Sequence, residues 1–506
     1  MNTVEGAAVG LLALSAGGAL PAVCIARSRL VVVPLVPLAG AVLASLAVTA
    51  MTAAGGTFFA WYVTLSLLAA ATVAAVWLCF PRSRPWGGGS GRGASRELCA
   101  AAGIAGLVVC VVYLSALKAP MTQFDTRDVW LLHPFWYLQG HARTVATLQS
   151  RAYTFGHPPY PPLIGGSVAL TWLAAGVKSY RLGVVMIALL SALSVMAAGT
   201  AVFEVASGLA SSTEDASRRR RTLVVAVALM AGVMFVAFSA AGALAASGYA
   251  DLLWASAAVG AVSYGLVLQS SSANVGAAAV LATVAGVTKL EGSLTAAVIV
   301  GLIAARWYLA LRPGAERRAL ARAGAIAVGC WAVIGVWPLV IQLLGAVPDV
   351  PFQGPRQGTD ASRFGDVVSG VANWAGSNLG ALCGAIVVAL VGAFFLRGTR
   401  RRAGLGNDIW AWAVIFVALS LIFGAYVIGP GVASRWVQVS VARTTLFPAL
   451  EAWWIMTTWA VIAAYNIRWA ENDKPAPELM DARMSRHSNE TEGPIGDVLV
   501  PNDDDR

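Results

Sequence analysis

Asp125 and Asp128 stand three residues apart in Phe124-Asp125-Thr126-Arg127-Asp128-Val129-Trp130, directly after an apolar run that ends near Leu117. Carboxylates so placed supply a general base and a supporting partner, provided one reaches the proton it is to remove. The bland alternative is two solvated loop acids, with Asp128 capping the helix that follows. A third acid, Asp251, closes the short segment Ser247-Gly248-Tyr249-Ala250-Asp251 between two apolar runs. Lys289 and Glu291 share a similar turn, Lys289-Leu290-Glu291-Gly292, while Arg181 and Arg443 each open an apolar run. Any one such charge simply extends its head to the lipid headgroups. As a set, the three cations would hold a phosphate-bearing lipid and stabilise the phosphate as leaving group, while a carboxylate activates a hydroxyl acceptor.

The segment after Asp125 has its own character. Trp130, Phe135, Trp136 and Tyr137 crowd residues 128–140, an aromatic density suited to an interfacial helix. His157-Pro158-Pro159-Tyr160-Pro161-Pro162-Leu163 is a rigid proline turn, which makes His157 and Tyr160 candidates to line a substrate loop with Glu291. His133, His141 and His157 share this region, but their spacing fits no ligand pattern, so no metal site is assigned.

The elements that must position these residues are membrane helices. Hydrophobic residues make up 58% of the 506 positions and charged residues 12%, about half the charged share of a soluble domain. A spanning helix needs about 20 apolar residues. The chain offers about thirteen such runs, near 6–26, 30–52, 57–80, 98–117, 182–206, 223–246, 252–270, 275–289, 292–309, 323–345, 378–396, 409–428 and 446–466. The net charge of +10 is not a nucleic-acid signature, because the basic residues cluster in links between apolar runs. The clusters are Arg27/Arg29, Arg82 to Arg96, Arg218 to Arg221, Arg312 to Arg322 and Arg397 to Arg402. They fall on one side if 161–177 lies along or dips into the membrane surface instead of crossing. The N-terminus is then outside and the C-terminus cytoplasmic, with outer loops at 118–181, 346–377 and 429–445. The six cysteines lie in apolar runs as small hydrophobes, and no cleavable leader is expected.

The chain thus reads as an all-α polytopic membrane protein in three parts. Residues 1–97 hold three helices and a basic Gly/Ser-rich linker at 86–95, 98–466 carry the candidate site, and 467–506 form a polar, disordered tail.

The order of these features resembles the GT-C superfamily of integral-membrane glycosyltransferases, which includes protein O-mannosyltransferases, aminoarabinose transferases, and actinobacterial mannosyl- and arabinofuranosyltransferases. The resemblance spans about 98–460. It rests on an Asp opening the first large outer loop, Tyr160-Pro161-Pro162-Leu163, Gly248-Tyr249-Ala250-Asp251, Lys289-x-Glu291-Gly292 and Arg443-x-x-x-x-Pro448. It implies juxtamembrane helices in the outer loop, a polyprenyl-phosphate sugar donor, and a glycan, lipid or protein acceptor in the cell envelope at the plasma membrane. Mannose or arabinofuranose is the sugar expected. Asp125 matches the catalytic acid, with Asp128 as runner-up because Phe124 replaces the usual Trp. Asp251 matches the second acid, and Lys289 the residue approaching the lipid phosphate, with Leu290 where Asn is usual. No extended DxD is present, which argues against a divalent metal cofactor. The rival classes are a secondary transporter or lipid flippase, which would place ionisable residues near mid-membrane, and a non-catalytic scaffold.

Overall fold

The computed structural model describes residues 2–25, 29–79, 110–119, 125–211, 216–268, 272–310, 317–347, 363–373, 409–428 and 433–472, with isolated positions between. About 89% of the described residues are helical, with no strand among them. That follows from the Ala/Val/Leu/Gly-rich runs: in hydrocarbon every backbone N–H and C=O must be satisfied within its own segment, and a helix does this. Three long helices come first: α1 (Thr3–Ile25), α2 (Arg29–Ala54) and α3 (Phe58–Cys79). The juxtamembrane region follows as a π-turn Asp125–Trp130, α4 (His133–Leu138), α5 (His141–Leu148) and a 3-10 turn Arg151–Gly156. The bundle continues with α6 (Leu163–Ala175), α7 (Tyr180–Ser211), α8 (Ala216–Ala246) and α9 (Asp251–Val262), whose last turn widens into a π-turn over Ser263–Val267. Then come α10 (Ser272–Gly286), α11 (Leu290–Ala310), α12 (Arg317–Leu343), α13 (Ile409–Ile428), α14 (Ala433–Thr444) and α15 (Leu446–Asn472).

Seven of these helices are long and apolar enough to cross a membrane: Thr3–Val23, Leu30–Ala54, Phe58–Ala75, Tyr180–Ala206, Leu290–Leu309, Gly324–Leu343 and Ile409–Ile428. Helices α8, α9, α10 and α15 carry apolar stretches of 10–17 residues among the described residues. The span expected at 378–396 (apart from Val387), the first part of that at 98–117, the 86–95 linker, most of the 346–377 loop and the tail from 473 lie outside the described residues.

Helix α6 is apolar on every face, and a helix of that kind has to be enclosed. Residues Leu163 to Trp172 are buried, packed by α1, α2, α4 and α7. The N-terminal helices α1 and α2 cover much of it, so its apolar faces meet protein. Glycine makes the approach possible, because a Cβ on Gly166 would sit 2.8 Å from the Ala44 carbonyl oxygen. The α1–α2 crossing uses the same device, with Gly18 against the Val36 carbonyl and Gly40 against that of Leu14. Helices α1 and α2 therefore hold up the candidate site region, although the sequence assigns them no role.

The segment 125–163 is tied to the ends of distant helices. His141 Nδ1 bonds the Met51 carbonyl of α2 at 3.0 Å, and Leu163 N–H donates to Val287 O just beyond α10 at 3.1 Å. Past the end of α12, Val347 N–H donates to Leu148 O at 2.9 Å and Gln149 Nε2 to Leu344 O at 2.8 Å. Trp337 Nε1 donates to Pro159 O at 2.8 Å. These bonds gather the loop over one end of the bundle. At the opposite end, Arg218 to Arg221 occupy the first turns of α8, and Arg317, Arg318 and Arg322 those of α12.

Candidate ion-pair site at one end of the bundle

The π-turn after the helical stretch 110–118 presents Asp125 and tucks Thr126, Val129 and Trp130 inside. Thr126 Oγ1 donates to Ser247 O, which fastens this turn to the α8–α9 connection. Gly248 in that connection has φ +86°, a left-handed conformation, and a Cβ there would meet the Thr126 methyl at 2.6 Å. The tight turn brings Tyr249 to the surface of the cluster and sets Asp251 on the first residue of α9, with its side chain fully buried.

Asp251 is the hub. Its Oδ1 accepts from Lys289 Nζ at 2.9 Å, and its Oδ2 from Arg443 Nε at 3.0 Å. Lys289, 6% exposed, also pairs with Glu291 Oε1 at 3.1 Å. Arg443 turns its NH1 to Asp125 Oδ2 at 2.8 Å, and its guanidinium carbon lies 4.7 Å from the centroid of the Tyr249 ring. Three carboxylates therefore share two cations in one connected network. Burial by itself would lower the proton affinity of Arg443, but the Asp251 and Asp125 carboxylates outweigh it and hold the pKa above the ordinary arginine value. Burial, and then the Asp125 charge, push the Tyr249 phenol upward.

Exposure divides the network in two. Asp125 and Glu291 are each 32% exposed and Arg443 is 21% exposed, against 0% for Asp251. Asp125, Arg443 and Glu291 can thus meet a ligand, while Asp251 fixes the cations from behind.

The substrate-loop candidates come close. Tyr160 lies within electrostatic range of Lys289, stacks on His157 with centroids 4.8 Å apart, and meets Trp130 at 5.4 Å. His157 holds φ +48°, unusual for a residue with a side chain, and ends the 3-10 turn. His133 turns away from the site and bonds the Gly156 carbonyl through Nε2 at 2.8 Å. Burial lowers its pKa to about 4.

Two residues lie apart from the network. Arg181 sends NH1 to the carbonyls of Leu117 and Ala119 at 2.9 and 2.6 Å, with Ala116 at 3.3 Å. It caps the end of the helical stretch 110–118, where a helix leaves its last carbonyls without intrahelical donors. Asp128 forms a two-pronged pair with its neighbour Arg127, at 3.1 and 2.9 Å. It caps no helix: α4 starts from Leu132 without a side-chain cap. The aromatic run is likewise more enclosed than an interfacial helix, because Trp130, Trp136 and Tyr137 are buried.

Sequence reasoning gave no role to Tyr249, although it sits two residues before Asp251 in the motif. It also missed a hydroxyl network in which Tyr426 bonds Ser440 at 2.7 Å and Thr444 at 2.9 Å, within electrostatic range of Glu291 and Lys289. The periodicity of α14, with Ser440, Arg443 and Thr444 on one helical face, was the available signal. Among the described residues no group of three His, Cys, Asp or Glu side chains could hold a metal.

The chain matches no family model, no curated protein and no solved structure. What the site does has to be read from its own geometry.

Proposed function

We propose that the chain is an inverting glycosyltransferase of the GT-C type, moving a sugar from a polyprenyl-phosphate donor to an extracytoplasmic acceptor. The observation carrying this reading is the shared Arg443, which joins a partly exposed carboxylate, Asp125, to a buried Asp251–Lys289 pair. A base and a phosphate-binding cation thus stand side by side. In the reaction Asp125 takes the acceptor hydroxyl proton, and the hydroxyl oxygen attacks the anomeric carbon. The bond from that carbon to the phosphate oxygen breaks, and its electrons leave with polyprenyl phosphate. Arg443 and Lys289 stabilise the departing charge. Glu291, Tyr160 and His157 border the cations and would contact sugar or acceptor. Arg181 is left out of the donor site, since its guanidinium already serves a helix end.

The basic first turns of α8 and α12 lie at the end of the bundle away from the site, which supports an outward-facing site; the reading keeps about thirteen spans in the plasma membrane. Mannose and arabinofuranose remain the donors of choice, with a cell-envelope glycan, lipid or protein as acceptor. No metal is assigned to the reaction.

A transporter or flippase is the second reading, and one observation favours it. Glu451 lies inside α15, fully buried, and neither of its carboxylate oxygens has a hydrogen-bond partner among the described residues. The test is release of polyprenyl phosphate, with formation of a glycoside, from synthetic short-chain polyprenyl-phosphate mannose and arabinofuranose by the purified protein in nanodiscs supplied with an octyl glycoside acceptor. Release with inversion at the anomeric carbon is expected from one of them. Movement of the intact lipid between leaflets without release would select the flippase.

A further inference from the structure

We propose that Arg443 exchanges its counter-ion when a phosphate enters, giving up Asp125 for the phosphate while Tyr249 and Asp251 keep the guanidinium in place. The inference rests on the polyprenyl-phosphate reading and names the order of events within that site.

The three contacts of Arg443 differ in how far they can change. Its Nε edge bonds Asp251, which is fully buried and also bound to Lys289. Its flat face lies over Tyr249, on the short turn fixed by Gly248 and Thr126. Its NH1 edge alone faces a partner with substantial exposure, Asp125. An arriving anion therefore meets the guanidinium at NH1. Phosphate competes well there, because the planar fork of arginine matches its oxygens and a charge-assisted bond replaces another of the same kind. Lys289 is less accessible than Arg443, at 6% against 21% exposed, so although Glu291 is as open as Asp125 an arriving anion reaches the guanidinium first.

The exchange changes what Asp125 can do. Paired with the guanidinium, its Oδ2 is occupied by the hydrogen bond from NH1 and is not open to an acceptor hydroxyl. Once the phosphate takes NH1, Asp125 stands beside the donor as an unpaired carboxylate ready to accept a hydroxyl proton. The base is thus withheld until the donor is seated. Tyr249 is a positioning residue in this scheme: it touches Arg443 through its ring face, so the aromatic ring is what matters.

The test is binding of farnesyl phosphate to the purified full-length chain in detergent, measured calorimetrically for the wild type and for Asp125→Asn, Asp125→Ala, Tyr249→Leu and Tyr249→Phe. Removing the competitor should tighten binding about fivefold in both Asp125 variants, the size of one partly exposed ion pair. Tyr249→Leu should weaken it about threefold to tenfold through loss of the cation–π contact, and Tyr249→Phe should restore wild-type affinity. An Asp125 that merely braces Arg443 predicts the opposite sign. Weaker or unchanged binding in Asp125 variants with wild-type melting temperatures overturns the exchange, as does Tyr249→Phe behaving like Tyr249→Leu. A wild type that shows no saturable binding overturns the polyprenyl-phosphate reading itself.

Discussion

Asp251 and Lys289, 38 residues apart, meet at 2.9 Å with side chains 0% and 6% exposed. Neither charge could remain there alone, because the cost of desolvating an ion is offset only by a close partner. Lys289→Met should therefore cost stability as well as donor affinity. Removing one partner of a buried pair is worth about 3–5 kcal/mol, reduced here because Arg443 still serves Asp251. Asp251→Leu should be the more damaging, since it leaves Lys289 and Arg443 with only their partly exposed partners, Glu291 and Asp125. Thermal unfolding in detergent would measure both; a melting temperature unchanged in Asp251→Leu would mean that the hub does not hold the cluster.

Asp125 and Asp128 separate cleanly by their partners. Asp125→Asn removes a proton acceptor from the network and should lower turnover by about 10²–10⁴-fold, mainly in kcat. Asp128→Asn breaks only an exposed pair with Arg127 and should change turnover little. Matched expression and melting temperatures are needed for the comparison. Activity kept in Asp125→Asn and lost in Asp128→Asn would exchange the two roles.

Arg181 should behave as a structural residue. Arg181→Gln removes donors to the carbonyls of Leu117 and Ala119 and should cost about 1–3 kcal/mol of stability. Farnesyl phosphate affinity in the folded protein should be unchanged. A loss of affinity without a loss of stability would return Arg181 to the donor site.

His133 gives the fold an acid limit. Its folded pKa is lowered to about 4, below the unfolded value near 6.5, because burial opposes the charged ring. As pH falls the unfolded chain takes up the proton first, so stability is complete above about pH 6.5 and declines toward pH 4. The full loss is on the order of 3 kcal/mol. Melting curves between pH 7.5 and 4.5 should show this slope for the wild type and a shallower one for His133→Gln. Equal slopes would assign the acid sensitivity to other groups.

Orientation can be read by labelling. In a cysteine-free background, Arg151→Cys, exposed on the 3-10 turn beside the site, should react with an impermeant thiol reagent in intact cells. Gly89→Cys should not. Reaction at Gly89 would turn the site toward the cytoplasm.

The sequence by itself determined the class of structure and the residues worth suspecting. Hydrophobicity is a sum over about 20 neighbouring residues, so long apolar helices such as Leu30–Ala54 and Tyr180–Ala206 were readable without any fold. For the same reason Asp125, Asp251, Lys289 and Arg443 stood out, as charges at the edges of apolar runs. Which of them meet was decided by tertiary structure alone. Arg443 reaches Asp125 across 318 positions and Asp251 across 192, contacts that depend on how helices rotate and cross. Arg181 carries the same kind of signal at a run boundary and yet turns to backbone carbonyls, because the end of the helical stretch 110–118 lies against it. Helix α6 shows the other limit: its apolar composition says it must leave water, but only packing decides whether lipid or α1 and α2 cover it. Composition reports how much each segment prefers to avoid water, whereas the partner of a buried charge is set by long-range geometry that no local window contains.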